Sequence, residues 1–158
     1  KWVREINPSQ PITVGIFDGS IAWDKFEDLL PLEKLILKNS DFISYHGYDK
    51  LEVEISRINQ LKTYGRPIMC TEYVARENGN VFETMLPLFK ENRIGAYNWG
   101  FVSGKTNTIY PWKSWDSTYT GPPKKWHHDI FYPSGEPFSY DEVNLIKSLT
   151  KSVNGGIK

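Results

Sequence analysis

Four times in succession a short apolar, β-branched run is followed by a stretch whose apolar residues recur at helical spacing, and this alternation limits the fold more than any other feature of the chain. The first run covers residues 11–17, with Ile12, Thr13, Val14 and Ile16 following the turn-forming Asn7, Pro8 and Ser9. Helical spacing then holds over 29–37, where Pro31 is tolerable only in a first turn and Asn39 is a stop. A second strand is expected at 42–48. The next helix, at 51–64, sets Leu51, Ile55, Ile58 and Leu61 on one face and Glu52, Glu54, Arg57 and Lys62 on the other, with Gly65 ending it. A third strand at 67–73, a third amphipathic helix at 81–92 (Phe82, Met85, Leu86, Phe89) and a fourth strand at 94–99 complete the pattern. Residues 2–6 read as the last turn of a preceding helix, and a final helix at 140–149 is capped by Ser139.

Buried strands alternating with amphipathic helices imply parallel strands joined by right-handed crossovers, in an open doubly wound sheet or a section of a barrel. A chain of 158 residues suits one domain and falls short of the roughly 250 of a complete eight-fold barrel. After Trp99 comes an irregular segment, residues 100–138, of about forty residues, too long for an ordinary connection and therefore expected to be functional.

Nineteen basic and nineteen acidic residues give a formal net charge of zero, so no electrostatic pull toward nucleic acid or an anionic membrane is expected. Aromatic residues make up 15% of the chain, including six Trp and nine Tyr, and many fall between Tyr97 and Tyr140. Cys70 is the only cysteine, so it can form no intramolecular disulfide and reads as a buried small hydrophobe. No apolar run is long enough to span a bilayer, and without an initiator Met the chain reads as cut from something longer.

Asp18, His46, Glu72 and Asn98 each fall at or just beyond the end of an expected strand, the rim at which barrels and open α/β sheets place their sites. Taken singly, Glu72 reads as a solvated carboxylate, His46 as a core histidine and Trp99 as a packing residue. Their common register favours a site. His127, His128 and Asp129 invite a metal reading, but adjacent side chains diverge and no second ligand cluster accompanies them, so no metal is expected. No Gly-rich phosphate loop follows any strand, and Gly155 and Gly156 fall in a tail.

The third run, Pro67-Ile68-Met69-Cys70-Thr71-Glu72-Tyr73, resembles the seventh strand of clan A glycoside hydrolases, in which an apolar run ends in Thr-Glu and the Glu is the nucleophile. One unit earlier, Ser44-Tyr45-His46-Gly47-Tyr48 is similar to the His-x-Tyr of the sixth strand. One unit later, Tyr97-Asn98-Trp99 is similar to the eighth strand with its Trp. The likeness is to family-five-type cellulases and xylanases, and it extends through Trp112, Trp115 and residues 126–131.

That resemblance implies the C-terminal half of a TIM (β/α)8 barrel, strands five to eight, forming one partial catalytic domain over 1–158 with the long loop at 100–138. It implies a retaining hydrolase of β-linked polysaccharide, secreted or periplasmic in its parent, with no cofactor and Glu72 as nucleophile. His46, Tyr48, Asn98, Trp99, Lys105 and Trp112 are the implied substrate contacts, with Asn107, Trp115 and Asp116 as weaker ones. The general acid/base of this clan follows Asn at the end of the fourth strand, and no Asn-Glu pair precedes Pro11, so the chain alone is expected to be nearly inactive. A carbohydrate-binding or scaffold domain retaining the aromatics is the alternative. An open flavodoxin-like domain is disfavoured because no phosphate-cradling loop follows the first strand. Half a barrel leaves strand edges unpaired, so self-association is expected.

Overall fold

A computed structural model describes residues 2–17 and 22–151. It contains four parallel strands, β1 (Gly15–Ile16), β2 (Ile43–His46), β3 (Ile68–Glu72) and β4 (Gly95–Ala96), whose spatial order follows the chain. The helices are α1 (Trp2–Glu5), α2 (Pro31–Asn39), α3 (Leu51–Lys62), α4 (Phe82–Glu91) and α5 (Tyr140–Lys151). The chain is therefore an α/β fold with an all-parallel sheet. Asp18, Gly155 and Gly156 lie outside the described residues.

The period-2 alternation of each strand divides the sheet into two faces. Ile16, Tyr45, Cys70 and Ala96 are in register on one face and join Leu37, Ile58, Leu61, Met85 and Phe89 in the apolar core. Gly15, Ser44, Met69 and Gly95 form the corresponding row on the other face. The outer strands are shorter than the sequence suggests: β1 and β4 pair for two residues each, because each has one neighbour and the chain leaves the ladder once that register ends.

Two helices are rotated from the expected amphipathic setting. In α3 the carboxylate of Glu54 is fully buried while Ile55 is 41% exposed. Glu54 accepts the Asp49 backbone N–H at 3.3 Å and lies 3.6 Å from Arg57, so it satisfies the chain where β2 turns into the helix. In α2, Glu33 is buried and accepts the Leu30 N–H at 2.8 Å and the Trp23 indole N–H at 3.2 Å, whereas Leu32 and Leu35 are exposed. Both helices thus bury a carboxylate that serves otherwise unpaired donors at the helix entrance. At α5 the expected cap is present, with Ser139 Oγ accepting from Glu142 N at 3.3 Å.

The segment 100–138 is tied down rather than free. Val102 bridges Phe131, Phe131 bridges Pro137, and Trp112–Trp115 form one 3₁₀ turn. Residues 127 and 128 hydrogen-bond back to the carbonyls of Ile109 and Thr108, at 2.8 and 3.2 Å. Arg76 clamps the segment to α5: its guanidinium makes two 2.7 Å bonds to the Glu142 carboxylate and a 3.2 Å bond to the Trp126 carbonyl, all buried. This fork-to-fork geometry satisfies both charges, which burial otherwise makes costly.

Candidate active site

The carboxylate of Glu72 stands at the C-terminal end of β3 because of a one-residue slip in the β2–β3 ladder. Tyr45 pairs with Cys70, but the next residue, His46, pairs with Glu72 instead of Thr71. In an unbroken ladder Thr71 would share the face of His46 and Glu72 would point to the other side of the sheet. The bulge brings Glu72 beside His46.

Two groups then hold it. The Tyr48 hydroxyl donates to Glu72 Oε2 at 2.6 Å, and His46 Nδ1 lies 3.3 Å from the same oxygen. A carboxylate only accepts, so the Tyr48 hydroxyl directs its proton toward it, with the His46 ring alongside. Side-chain exposure of 22% for both His46 and Glu72 leaves the carboxylate reachable from solvent. The Tyr48 hydroxyl is held protonated well above the ordinary tyrosine range, first by burial and then by the Glu72 carboxylate that accepts its proton.

The imidazole of His46 is fixed from behind. It lies over β1, where a Cβ on Gly15 would stand 2.8 Å from Nε2, so the ring needs a glycine beneath it. Phe17 stacks on it with ring centroids 5.5 Å apart. The Tyr48 ring is steadied by edge contacts with Trp112 at 5.1 Å and His128 at 5.7 Å.

Beyond Tyr48 a cleft of about 730 Å³ opens, walled by Trp99, Tyr110, Trp112, Trp115, Tyr119 and His128 among others. Glu72 is not on its wall. The two are joined through Tyr48, which touches Glu72 with its hydroxyl and Trp112 with its ring.

The structure thus brings together Glu72, His46, Tyr48 and Trp112, with Trp99 and Trp115 on the cleft. Asn98 is placed elsewhere: it follows Ala96 on the core face, lines a small apolar pocket with Phe101 and Val143, and bonds the Gly100 carbonyl. Lys105 is exposed and absent from the cleft wall, which does include Asn107 and Asp116.

Sequence reasoning missed a buried support for this arrangement. Val74 adopts φ +76°, a backbone region that a β-branched residue enters only under constraint. Asn80 supplies the constraint: its Oδ1 accepts the Val74 N–H at 2.8 Å, while its amide donates to the carbonyls of Gly47 at 3.2 Å and Asp49 at 2.6 Å. The Val74 carbonyl then accepts from His128 Nδ1. No sequence signal marks a valine for this role, although Asn80 two residues after Asn78 and beside Gly79 signals a turn.

Among the described residues no three His, Cys, Asp or Glu side chains form a metal-holding group, and no helix is long and apolar enough to cross a membrane. No protein-family model matches the chain, and no curated protein matches it. The resemblance to glycoside hydrolases therefore rests on the sequence motifs alone.

Proposed function

We propose that the chain is the C-terminal half of a (β/α)8-barrel retaining glycoside hydrolase acting on β-linked glycans, with Glu72 as nucleophile. The observation that carries this reading is the Glu72 carboxylate at a strand's C-terminal end, gripped by Tyr48 and His46 and adjoining an aromatic cleft. Glu72 would attack the anomeric carbon as the leaving oxygen departs. The carboxyl group that protonates that oxygen, and later activates water, would stand about 5 Å away and come from the missing half. Flat aromatic faces such as Trp99 suit the apolar C–H face of a pyranose ring.

The sheet supports the same reading. Its strand order contains no reversal, unlike the 2-1-3-4-5 order of a flavodoxin-like domain, and the site residues cluster at one end. Among the described strands, β1 and β4 each pair on one side only. Beside β1 runs an apolar groove of about 880 Å³ lined by Ile12, Val14, Phe17, Leu32 and Leu35. In the barrel reading the missing half covers this groove, and in the isolated chain a second copy does.

The test uses 2,4-dinitrophenyl 2-deoxy-2-fluoro-β-cellobioside and its xylobioside counterpart, whose activated leaving group needs no general acid. An adduct mapped to Glu72 and absent from Glu72→Gln supports the reading. A chain that binds cello- or xylo-oligosaccharides without forming the adduct is a carbohydrate-binding domain, the reading favoured by the absence of Glu72 from the cleft wall. A chain that does neither carries no glycan site.

A further inference from the structure

His128 is a polar ring on the cleft whose bonding is fixed from the protein side. Its Nδ1 faces the Val74 carbonyl, which can only accept, so Nδ1 carries the proton and Nε2 of the neutral ring is a bare acceptor. The ring is also held mechanically, with Tyr48, Trp112 and His127 against it at centroid distances of 5.7, 5.8 and 4.3 Å. Its neighbour provides a contrast. Both ring nitrogens of His127 are sealed from solvent without a partner, whereas His128, though only 3% exposed, forms part of the cleft wall. Among the described residues nothing bonds that nitrogen.

The wall around it has a definite chemical bias. Among the described residues it carries no Lys or Arg, Asp116 is its only carboxylate, and its remaining polar groups are hydroxyls, one amide and the three indoles of Trp99, Trp112 and Trp115. Such a wall can pair with hydroxyls and stack on rings, but it has no cation for a carboxylate or a phosphate.

We propose that His128 Nε2 accepts a hydrogen bond from a ring hydroxyl of a neutral sugar bound in the cleft, and that the cleft selects neutral over acidic glycans. This rests on the glycan reading above and adds to it a ligand class and a recognition residue outside the Glu72 cluster. The strain at Val74 acquires a purpose here, since the unusual backbone turn aims the carbonyl that fixes the His128 ring.

The experiment is ligand-observed NMR titration of the 158-residue chain with cellohexaose, xylohexaose and hexagalacturonate, on the wild type and on His128→Phe. Phenylalanine keeps a flat ring and removes both nitrogens. Long-range ¹H–¹⁵N correlation of the wild-type imidazole gives a second readout that does not depend on the variant folding. Expected are binding of a neutral hexaose and not of hexagalacturonate, a weakening of about tenfold in His128→Phe, and a proton on Nδ1 with Nε2 bare. Unchanged affinity in a folded His128→Phe, or a proton resident on Nε2, overturns the role of His128 and leaves the glycan reading standing. Preferential binding of hexagalacturonate overturns the neutral-ligand assignment. Binding of none of the three overturns the glycan reading and this inference together.

Discussion

The Tyr48 hydroxyl donates to Glu72 Oε2 at 2.6 Å, and the same Tyr48 ring packs edge-on against Trp112. One side chain thus aims the carboxylate and connects it to the cleft. Tyr48→Phe keeps the ring contact and deletes a hydrogen bond to a charged acceptor, an interaction of about 1.5–3 kcal/mol. The expected outcome is a ten- to hundredfold slower covalent labelling of Glu72, read as the rate of mass increase in a variant whose far-UV circular dichroism matches the wild type. Equal labelling rates in the two proteins count against a positioning role for Tyr48.

His46 reaches Glu72 only because β1 offers no side chain beneath its ring. Gly15→Ala would set a methyl group 2.8 Å from Nε2, and the imidazole must swing away to relieve the contact. The expected cost is about 1–2 kcal/mol, in the range of an overpacked contact, together with loss of the 3.3 Å approach to Glu72. Histidine NMR checks this: the His46 ring signals should move in Gly15→Ala while those of His128 stay in place. Unmoved His46 signals would show that the glycine is dispensable.

What the sequence made legible follows from periodicity. Val, Ile and Leu spacing located four strand and helix units because burial on one face repeats with the geometry of the element. The same logic misplaced Glu54, since a charged residue counts as solvent-facing until its backbone donors are known. The Thr71/Glu72 bulge left no trace in residue types, so Glu72 was named from motif likeness while the reason it faces His46 emerged only with the ladder register. Likewise His127 and His128 drew attention as possible metal ligands, but the placement of His128 depends on Val74, more than fifty residues away in the chain.

Glu54 and His127 give the stability of the chain opposing pH dependences. Burial pushes the Glu54 carboxyl up to about 7, against the smaller downward pull of Arg57 and the Asp49 N–H; Tyr45, Cys70 and Asp49 also face it. Burial likewise pushes His127 down to about 4, helped by His128, Arg76 and Lys125. A raised carboxyl contributes stability that is full below its unfolded value of 4.5 and lost as pH rises toward 7. A depressed histidine contributes stability that is full above 6.5 and lost as pH falls toward 4. Between about pH 4.5 and 6.5 the two slopes offset. Glu54→Gln is therefore expected to show stability rising with pH across that window, and His127→Leu to show it falling, by urea unfolding followed through tryptophan fluorescence. Parallel profiles for both variants would contradict the assignment.

The groove beside β1 carries the last prediction. Val14, Phe17, Leu32 and Leu35 are 55%, 65%, 66% and 60% exposed, although residues of this type normally line a core. Together with the unpaired edge of β1 they form a contiguous apolar surface of the kind that recruits a partner strand or helix. Sedimentation velocity of the isolated chain should show concentration-dependent dimers in the micromolar range. Leu35→Lys, placing a charge in the groove without touching Glu72, should return the chain to monomer and leave the far-UV circular dichroism spectrum unchanged. A clean monomer at several hundred micromolar for the wild type would mean that this face is tolerated in water, and a second copy on the groove would be discarded.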